Sequence, residues 1–427
     1  MYTRRILGSA ALAGLAATHV RAQAQTQTTI DVQYCFPAFA RFHETVAAEF
    51  TKVHPDIKVT FRAPAPTYDD GHQSMLRAAV TNQLPDIYYS GFHLQAELVR
   101  TLLRRQQIVD LGPFLDAEPK EWVAANYSPR IIDLGRVDGK LYGMAVNAST
   151  PLMYFNAELV RQAGGDPEKM PDTWDGVIAL AAKIKASGPN LAGMAYNIHE
   201  WPDDWLFRAL IHQGGGNMLN EAGNAVAFGD AAGQRAMQYV RRFVAEGGMP
   251  LIDWDQSRQQ FIAGQIGLFF DTPARLRQVT DLIGRRFTLG TATFPVDDKA
   301  KGGLPTGGNA ALIMSRDAAK RRAAWEFVKY MTGPEAQKLV VETSGYLPTN
   351  LRAVGPDFLG PYYDANPNFR TITRQMERSV PWQGYPGGNS VRIWRMQREV
   401  INRVMRGEVA PEAGLERLVK ETTAMMS

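Results

Sequence analysis

Cysteine is nearly missing from this chain. Cys35 is the single one among 427 residues, so no internal disulfide can form, and the segment before it has no thiol to carry a lipid. A chain of this size can be held by its apolar core alone. Long apolar runs are missing too: the small-residue stretch Ala10–Ala17 is too short to span a bilayer, and no other stretch is a candidate. Charge of one sign is also scarce. Lys and Arg number 47 against 43 Asp and Glu, a net +4 that falls to +1 once Arg4, Arg5 and Arg21 of the leader are set aside. That balance carries no nucleic-acid signal. Enzyme signatures are thin, with no G-x-S-x-G and no P-loop. His43, His54, His72, His93, His199 and His212 lack H-E-x-x-H spacing and cysteine partners, so neither a metal site nor a cofactor is expected. Asp69-Asp70 and Asp203-Asp204 are adjacent carboxylates, and side-by-side residues do not flank a bond as glycosidase pairs must.

What is present begins with a targeting pattern. Residues 1–24 have a basic start, an apolar middle and the A-x-A-like sites Val20-Arg21-Ala22 or Ala22-Gln23-Ala24, the form of a signal peptide. Thr3-Arg4-Arg5-Ile6-Leu7 has the look of a twin-arginine motif, and Arg-Arg is also common in ordinary leaders. The remaining length predicts two large domains.

The first hundred residues alternate strand and helix patterns. Thr29–Tyr34, Ile57–Phe61 and Ile87–Tyr89 read as strands. Phe39–Val53, with Phe42, Val46, Phe50 and Val53 on one face, and Asp69–Val80 read as helices. This predicts an open, mostly parallel α/β sheet whose ligand lies beyond the strand ends, at Gln33-Tyr34-Cys35-Phe36, Ala65-Pro66-Thr67-Tyr68 and Ser90-Gly91-Phe92-His93. Gly143–Asn156 is the organising stretch. An apolar lead-in meets Asn147-Ala148-Ser149-Thr150 and Pro151, and the β-rich run Leu152–Asn156 follows. A strand broken by polar residues suits a crossing between two lobes, with Asn147, Ser149 and Thr150 lining the cleft. Later segments repeat the theme. Thr173 is placed to cap a helix running to Ala186, and Ile266–Asp271 is a buried strand ending in Asp271-Thr272. Gly307-Gly308-Asn309 opens a further strand at the cleft edge. Each of these polar groups also has an ordinary reading as a turn or cap residue.

The order of these segments resembles family 1 extracellular solute-binding proteins, the receptors of carbohydrate ABC importers. NASTPLMYFN at the crossover is most similar to the branch holding the glycerol-3-phosphate-binding receptor. Pro171-Asp172-Thr173-Trp174-Asp175, the Gly307–Met314 strand, Phe327-Val328-Lys329-Tyr330-Met331, Gly333-Pro334-Glu335-Ala336-Gln337 and Gly345-Tyr346-Leu347-Pro348 follow in the family's order. The resemblance spans nearly the whole mature chain. It implies a periplasmic-binding-protein-like fold of two lobes joined by hinge crossovers, 28–147 plus 295–348 and 148–294 plus 349–427. It implies a monomer that captures a sugar or sugar-like polyol and delivers it to an inner-membrane ABC permease, without catalysis. Aromatics at the positions of Trp201 and Trp394 contact ligand in the family, and Tyr346 matches a ligand tyrosine of the branch. Trp174, Trp254 and Trp325 are left to the core. The branch carries an arginine just before its Gly-Asn pair where this chain has Pro386. That departure leaves neutral sugars and other anionic polyols open, with Gly387–Ser390, including Asn389, and nearby Arg392 as a candidate anion nest. An exported glycan-active enzyme is the rival reading from another class.

Overall fold

The computed structural model describes residues 27–426. The expected leader lies outside them. The sheet-forming strands are β1 (Thr28–Gln33), β2 (Ile57–Phe61), β3 (Ile87–Gly91), β4 (Gly143–Ser149), β5 (Leu152–Asn156), β6 (Ala192–Ala195), β7 (Ile266–Asp271), β8 (Leu289–Ala292) and β9 (Gly307–Ile313). They form two sheets, ordered β2-β1-β3-β9-β4 and β8-β5-β7-β6.

Helices α1 (Ala40–Val53) and α2 (Tyr68–Thr81) make the expected connections between the first three strands, which pair in parallel. Phe42, Val46 and Phe50 are buried at helical spacing on α1, whereas Val53, expected on the same face, sits in the last turn and is 61% exposed. Thr67 caps α2 by accepting from the Asp70 amide, and Asp69 and Asp70 complement the helix dipole. Helix α3 (Phe92–Leu103) starts directly at the end of β3. In the second lobe α4 (Trp174–Ala186) begins at the predicted cap, with Thr173 accepting from the Gly176 amide. Its first residue, Trp174, is fully buried and lies 5.0 Å from the rings of Phe243 and Phe270. That cluster anchors the second core.

Each sheet contains one strand that runs against the rest, so the expected parallel character is mixed. Strand β9 pairs antiparallel with both β3 and β4, and β5 pairs antiparallel with both β7 and β8. These are the strands that have just arrived from the other lobe. A chain that leaves one sheet at its ligand-facing end enters the next sheet at that same end, and must run backwards through it. The crossover is tighter than the polar pattern suggested. Asn147, Ala148 and Ser149 stay in the first ladder opposite Asn309, Gly308 and Gly307, so only Thr150-Pro151 bridges the sheets.

Two buried glutamines tie the crossings together. Gln375, in the tail, donates to Thr150 Oγ1 (2.6 Å) and the Pro151 carbonyl (2.8 Å), and accepts from the Phe294 amide (2.9 Å). One carboxamide therefore satisfies backbone from both crossovers, where no ladder partner is available. Helix α5 (Trp205–Gln213) and helix α6 (Trp254–Ile262) line the second lobe's side of the cleft. Helices α7 (Ala318–Met331) and α8 (Pro334–Thr343) return to the first lobe. From α8, Gln337 donates to the Val146 carbonyl and accepts from the Thr349 amide. The chain closes with α9 (Ser390–Arg406) and α10 (Pro411–Met426). Among the described residues, no helix is long and apolar enough to cross a membrane.

Candidate functional site

Between the sheets lies a cleft lined from both lobes, the kind of concave site in which small molecules bind. Its first-lobe wall is aromatic. Phe36 has φ 67°, a left-handed conformation costing a bulky residue about 1–3 kcal/mol. Its amide donates to the Ala65 carbonyl at 2.7 Å, and its ring packs edge-on to Tyr68 (4.8 Å, 86°). The opposite wall is built by tryptophans. Trp201 and Trp205 stack at 5.6 Å and 29°, Trp254 meets Trp201 at 5.0 Å, and Trp205 Nε1 donates to the Pro305 carbonyl (3.0 Å). Trp382, from the tail, lies flat on His93 (3.9 Å, 18°) and donates from Nε1 to Asp204 (2.8 Å).

The floor is the pair of crossover strands. Asn309 donates to Tyr68 Oη at 3.0 Å. The Oδ1 atoms of Asn309 and Asn147 are buried and have no protein partner among the described residues. A buried acceptor left unpaired costs about 1–3 kcal/mol, and the strands hold both of these directly behind the cleft lining. Gly308 makes the arrangement possible. Its φ is +119°, the β4–β9 register shifts one residue further on, between Asn309 and Ala310, and a Cβ there would sit 2.3 Å from the Asn147 carbonyl oxygen. Gly308→Ala is expected to cost on the order of 1–3 kcal/mol in denaturant melts. It should also weaken ligand binding at least about tenfold by titration; binding unchanged from the parent would contradict this account of the floor.

Among the described residues, two ionisable side chains other than tyrosine line the cleft. Asp203 is held by burial at a pKa of about 8, against the lowering effect of the Trp205 amide that donates to it (2.9 Å). Arg275 stands across the cleft near Phe39 and Trp254. Among the described residues, no group of three or more His, Cys, Asp or Glu is placed to hold a metal.

Of the residues expected at the site, Tyr68, Ser149, Trp201, Thr272, Gly308 and Tyr346 line the cleft, and Asn147 and Asn309 lie directly behind that lining. The others fall elsewhere. Tyr34 stacks on His43 in the first core (3.9 Å), and Gln33 and Ser90 are buried at their strand ends. Thr150 is taken by Gln375, and Asp271 by Arg258 and the Thr272 amide. Asn389 donates to the Met425 carbonyl, Arg392 is exposed, and Trp394 is buried beside His93. Trp254, left to the core by the sequence, lines the cleft instead. Sequence reasoning also missed Phe39, Asp203, Trp205, Arg275 and Trp382, whereas Phe36 falls in a strand end where the ligand was expected. For Arg275 a signal existed: it lies three residues beyond the predicted strand end at Asp271-Thr272.

Two α/β lobes, joined by short crossovers around a cleft walled with aromatics, define a receptor for a small molecule. The chain belongs to the bacterial extracellular solute-binding protein family, whose model matches residues 37–338. It is similar to the sn-glycerol-3-phosphate-binding periplasmic protein UgpB of Yersinia pseudotuberculosis, at 26% identity over 67% of each chain. Two solved structures share its fold. UgpB from Mycobacterium tuberculosis in complex with glycerophosphocholine superposes with a TM-score of 0.79 at 18% identity, covering 94% of this chain and 98% of that one. The sugar-binding protein MalE from Xanthomonas citri gives 0.78 at 22% identity, covering 93% and 97%.

Proposed function

We propose that this protein is an exported, monomeric periplasmic receptor that captures a sugar or sugar-like polyol in the interlobe cleft and delivers it to an inner-membrane ABC permease. The observation that carries the reading is the cleft's chemistry. Flat aromatic faces from both lobes suit the C–H faces of a polyol, and the hydroxyls of Thr67, Tyr68, Ser149, Thr272 and Tyr346 in the lining suit its hydroxyls. Relatives named for glycerol 3-phosphate and for sugars bracket the same ligand class.

The mechanism is hinge closure. We place the lobes at 28–149 plus 295–348 and 152–294 plus 349–427, the first boundary lying two residues beyond the sequence expectation because Ala148 and Ser149 pair in the first ladder, with Thr150-Pro151 and the Phe294 segment as the flexing links. A ligand that touches Tyr68 and Phe36 on one wall and Trp201 and Trp205 on the other stabilises the closed form, which is the form that docks on the permease. Glycoside hydrolysis ordinarily uses two opposed carboxyls, which the described lining does not offer. Asp203 is the one carboxyl among the described lining residues, and Asp204 is turned away into Arg208 and Trp382.

The test is calorimetric titration of the mature protein with disaccharides, glycerol 3-phosphate and glycerophosphodiesters, followed in parallel by tryptophan fluorescence. Saturable one-to-one binding that raises the melting temperature is expected, with Trp205→Ala weakening it at least about tenfold. Chemical conversion of any ligand would overturn the receptor reading.

A further inference from the structure

We propose that Arg275 is the anion-recognising residue of the cleft and that the preferred ligand is a polyol carrying a single negative charge. This rests on the reading of the cleft as a solute site and narrows it. Arg275 ends the short turn Pro273–Arg275 beyond β7. Its guanidinium carbon lies 5.4 Å from the Phe39 ring centre on one lobe and 5.9 Å from that of Trp254 on the other. Aromatic neighbours on two sides hold a guanidinium without using its N–H donors, which lie in its plane.

Those donors are largely free. Among the described residues no carboxylate lies within ion-pair distance of Arg275, and its side-chain acceptor is Gln278 Oε1 at 3.3 Å. The nearby buried carboxylate, Asp271, already serves Arg258 (3.5 Å) and the Thr272 amide (2.7 Å). Burial and the neighbouring Arg258 push the Arg275 pKa down from its ordinary value, the mark of a cation short of compensation.

The lining also fixes how much charge is wanted. Besides Arg275, Asp203 is the one formally chargeable acid or base among the described lining residues; it has no Lys or Arg in ion-pair contact, only His93 Nε2 at 4.0 Å, and burial pushes its pKa up to about 8, which favours the neutral carboxyl at pH 7. The cleft therefore carries one net positive charge. A phosphodiester, sulfonate or carboxylate supplies the single negative charge that balances it. A phosphomonoester carries about −1.5 to −2 at neutral pH, and leaves charge uncompensated in a partly desolvated site. The turn before α9 does not compete for the anion: Gly388 faces Glu97, and Arg392 is exposed outside the cleft.

The experiment is isothermal titration of the full mature chain at low salt and pH 7 with five probes. They are glycerophosphoglycerol, the methyl glycoside of 6-deoxy-6-sulfoglucose, methyl glucuronide, glycerol 3-phosphate and maltose. At least one of the first three is expected to bind at least about tenfold tighter than the last two, and which one does so identifies the oxyanion. Arg275→Gln should lose that tenfold preference over maltose, and Arg275→Lys should recover part of it. Both variants should melt close to the parent, since no ion pair is broken. Anion affinity unchanged in Arg275→Gln, or maltose binding the parent as tightly as the anions, overturns the assignment and leaves the solute site standing. Silence from all five probes overturns the solute-site reading itself, and the assignment with it.

Discussion

Replacing Arg208 by methionine is expected to destabilise the protein by about 3–5 kcal/mol, the cost of leaving a buried carboxylate without its cation. Arg208 and Asp204 lie one turn apart at the start of α5, and their side chains are 5% and 0% exposed. Asp204 accepts from Arg208 Nη2 at 2.7 Å and Nε at 3.4 Å, and from Trp382 Nε1 at 2.8 Å. Methionine fills much of the vacated volume, so the loss reports the orphaned charge rather than a cavity. The pair also has a mechanical role. It fixes Trp382, which carries the His93 stack against the cleft wall, so ligand affinity should fall together with stability. Denaturant melts of Arg208→Met, Asp204→Asn and the double variant separate these effects. The double variant should regain most of the stability, because asparagine keeps an acceptor for Trp382 and no buried charge remains. A single variant within about 1 kcal/mol of the parent would mean that the pair is screened by solvent and sets nothing.

The fold was legible wherever short-range physics decides it. The spacing of Phe42, Val46 and Phe50, the cap at Thr173, and the turn chemistry around Gly333-Pro334 each carry local information about where a helix runs or starts. Strand positions were legible as well, and with them the inference that strand ends meet at a cleft. The orientation of side chains at those ends was not. Successive strand residues face opposite ways, so Tyr34 turns to His43 in the core, while Phe36, two residues on, reaches the cleft only through an unusual backbone conformation. Contacts made over long sequence distance were also hidden. Trp382 reaches Asp204 across 178 residues, and Gln375 reaches Thr150 across 225. Nothing in the local sequence of either tail residue announces that partner. Trp254 went to the core by default because tryptophan is usually buried, yet its position at the first turn of a helix facing the crossover put it in the cleft wall.

Asp203→Asn is expected to stabilise the protein at pH 7 and to leave it little changed at pH 4. The Asp203 carboxyl is enclosed by the Trp201–Trp205 loop and the first lobe. His93 Nε2 stands 4.0 Å away, the Trp205 amide donates to it, and the Asp204–Arg208 pair lies behind it. Burial holds His93 well below the ordinary imidazole value, so it offers no cation to compensate a carboxylate. Burial first, and then the negative charge of Asp204, raise the Asp203 pKa to about 8, while the Trp205 amide and Arg208 pull the other way. Because the folded value is above the unfolded one, the contribution to stability is fully present below about pH 4 and is lost as pH rises toward 8. Each tenfold change in proton affinity is worth about 1.4 kcal/mol, so the loss amounts to a few kcal/mol by neutral pH. Asparagine removes that dependence and retains an acceptor for the Trp205 amide. Thermal melts of parent and variant from pH 4 to pH 9 should therefore diverge steadily, the variant ahead by several degrees at the upper end. The same ionisation bears on the ligand. Once Asp203 loses its proton, the positive charge of Arg275 is balanced within the cleft, and an anionic ligand meets a site with no net attraction. Anion affinity should fall as pH rises through about 8 in the parent and stay level in Asp203→Asn. Parallel melting curves would show that Asp203 is already ionised at neutral pH, and would remove the charge count that favours a singly charged ligand.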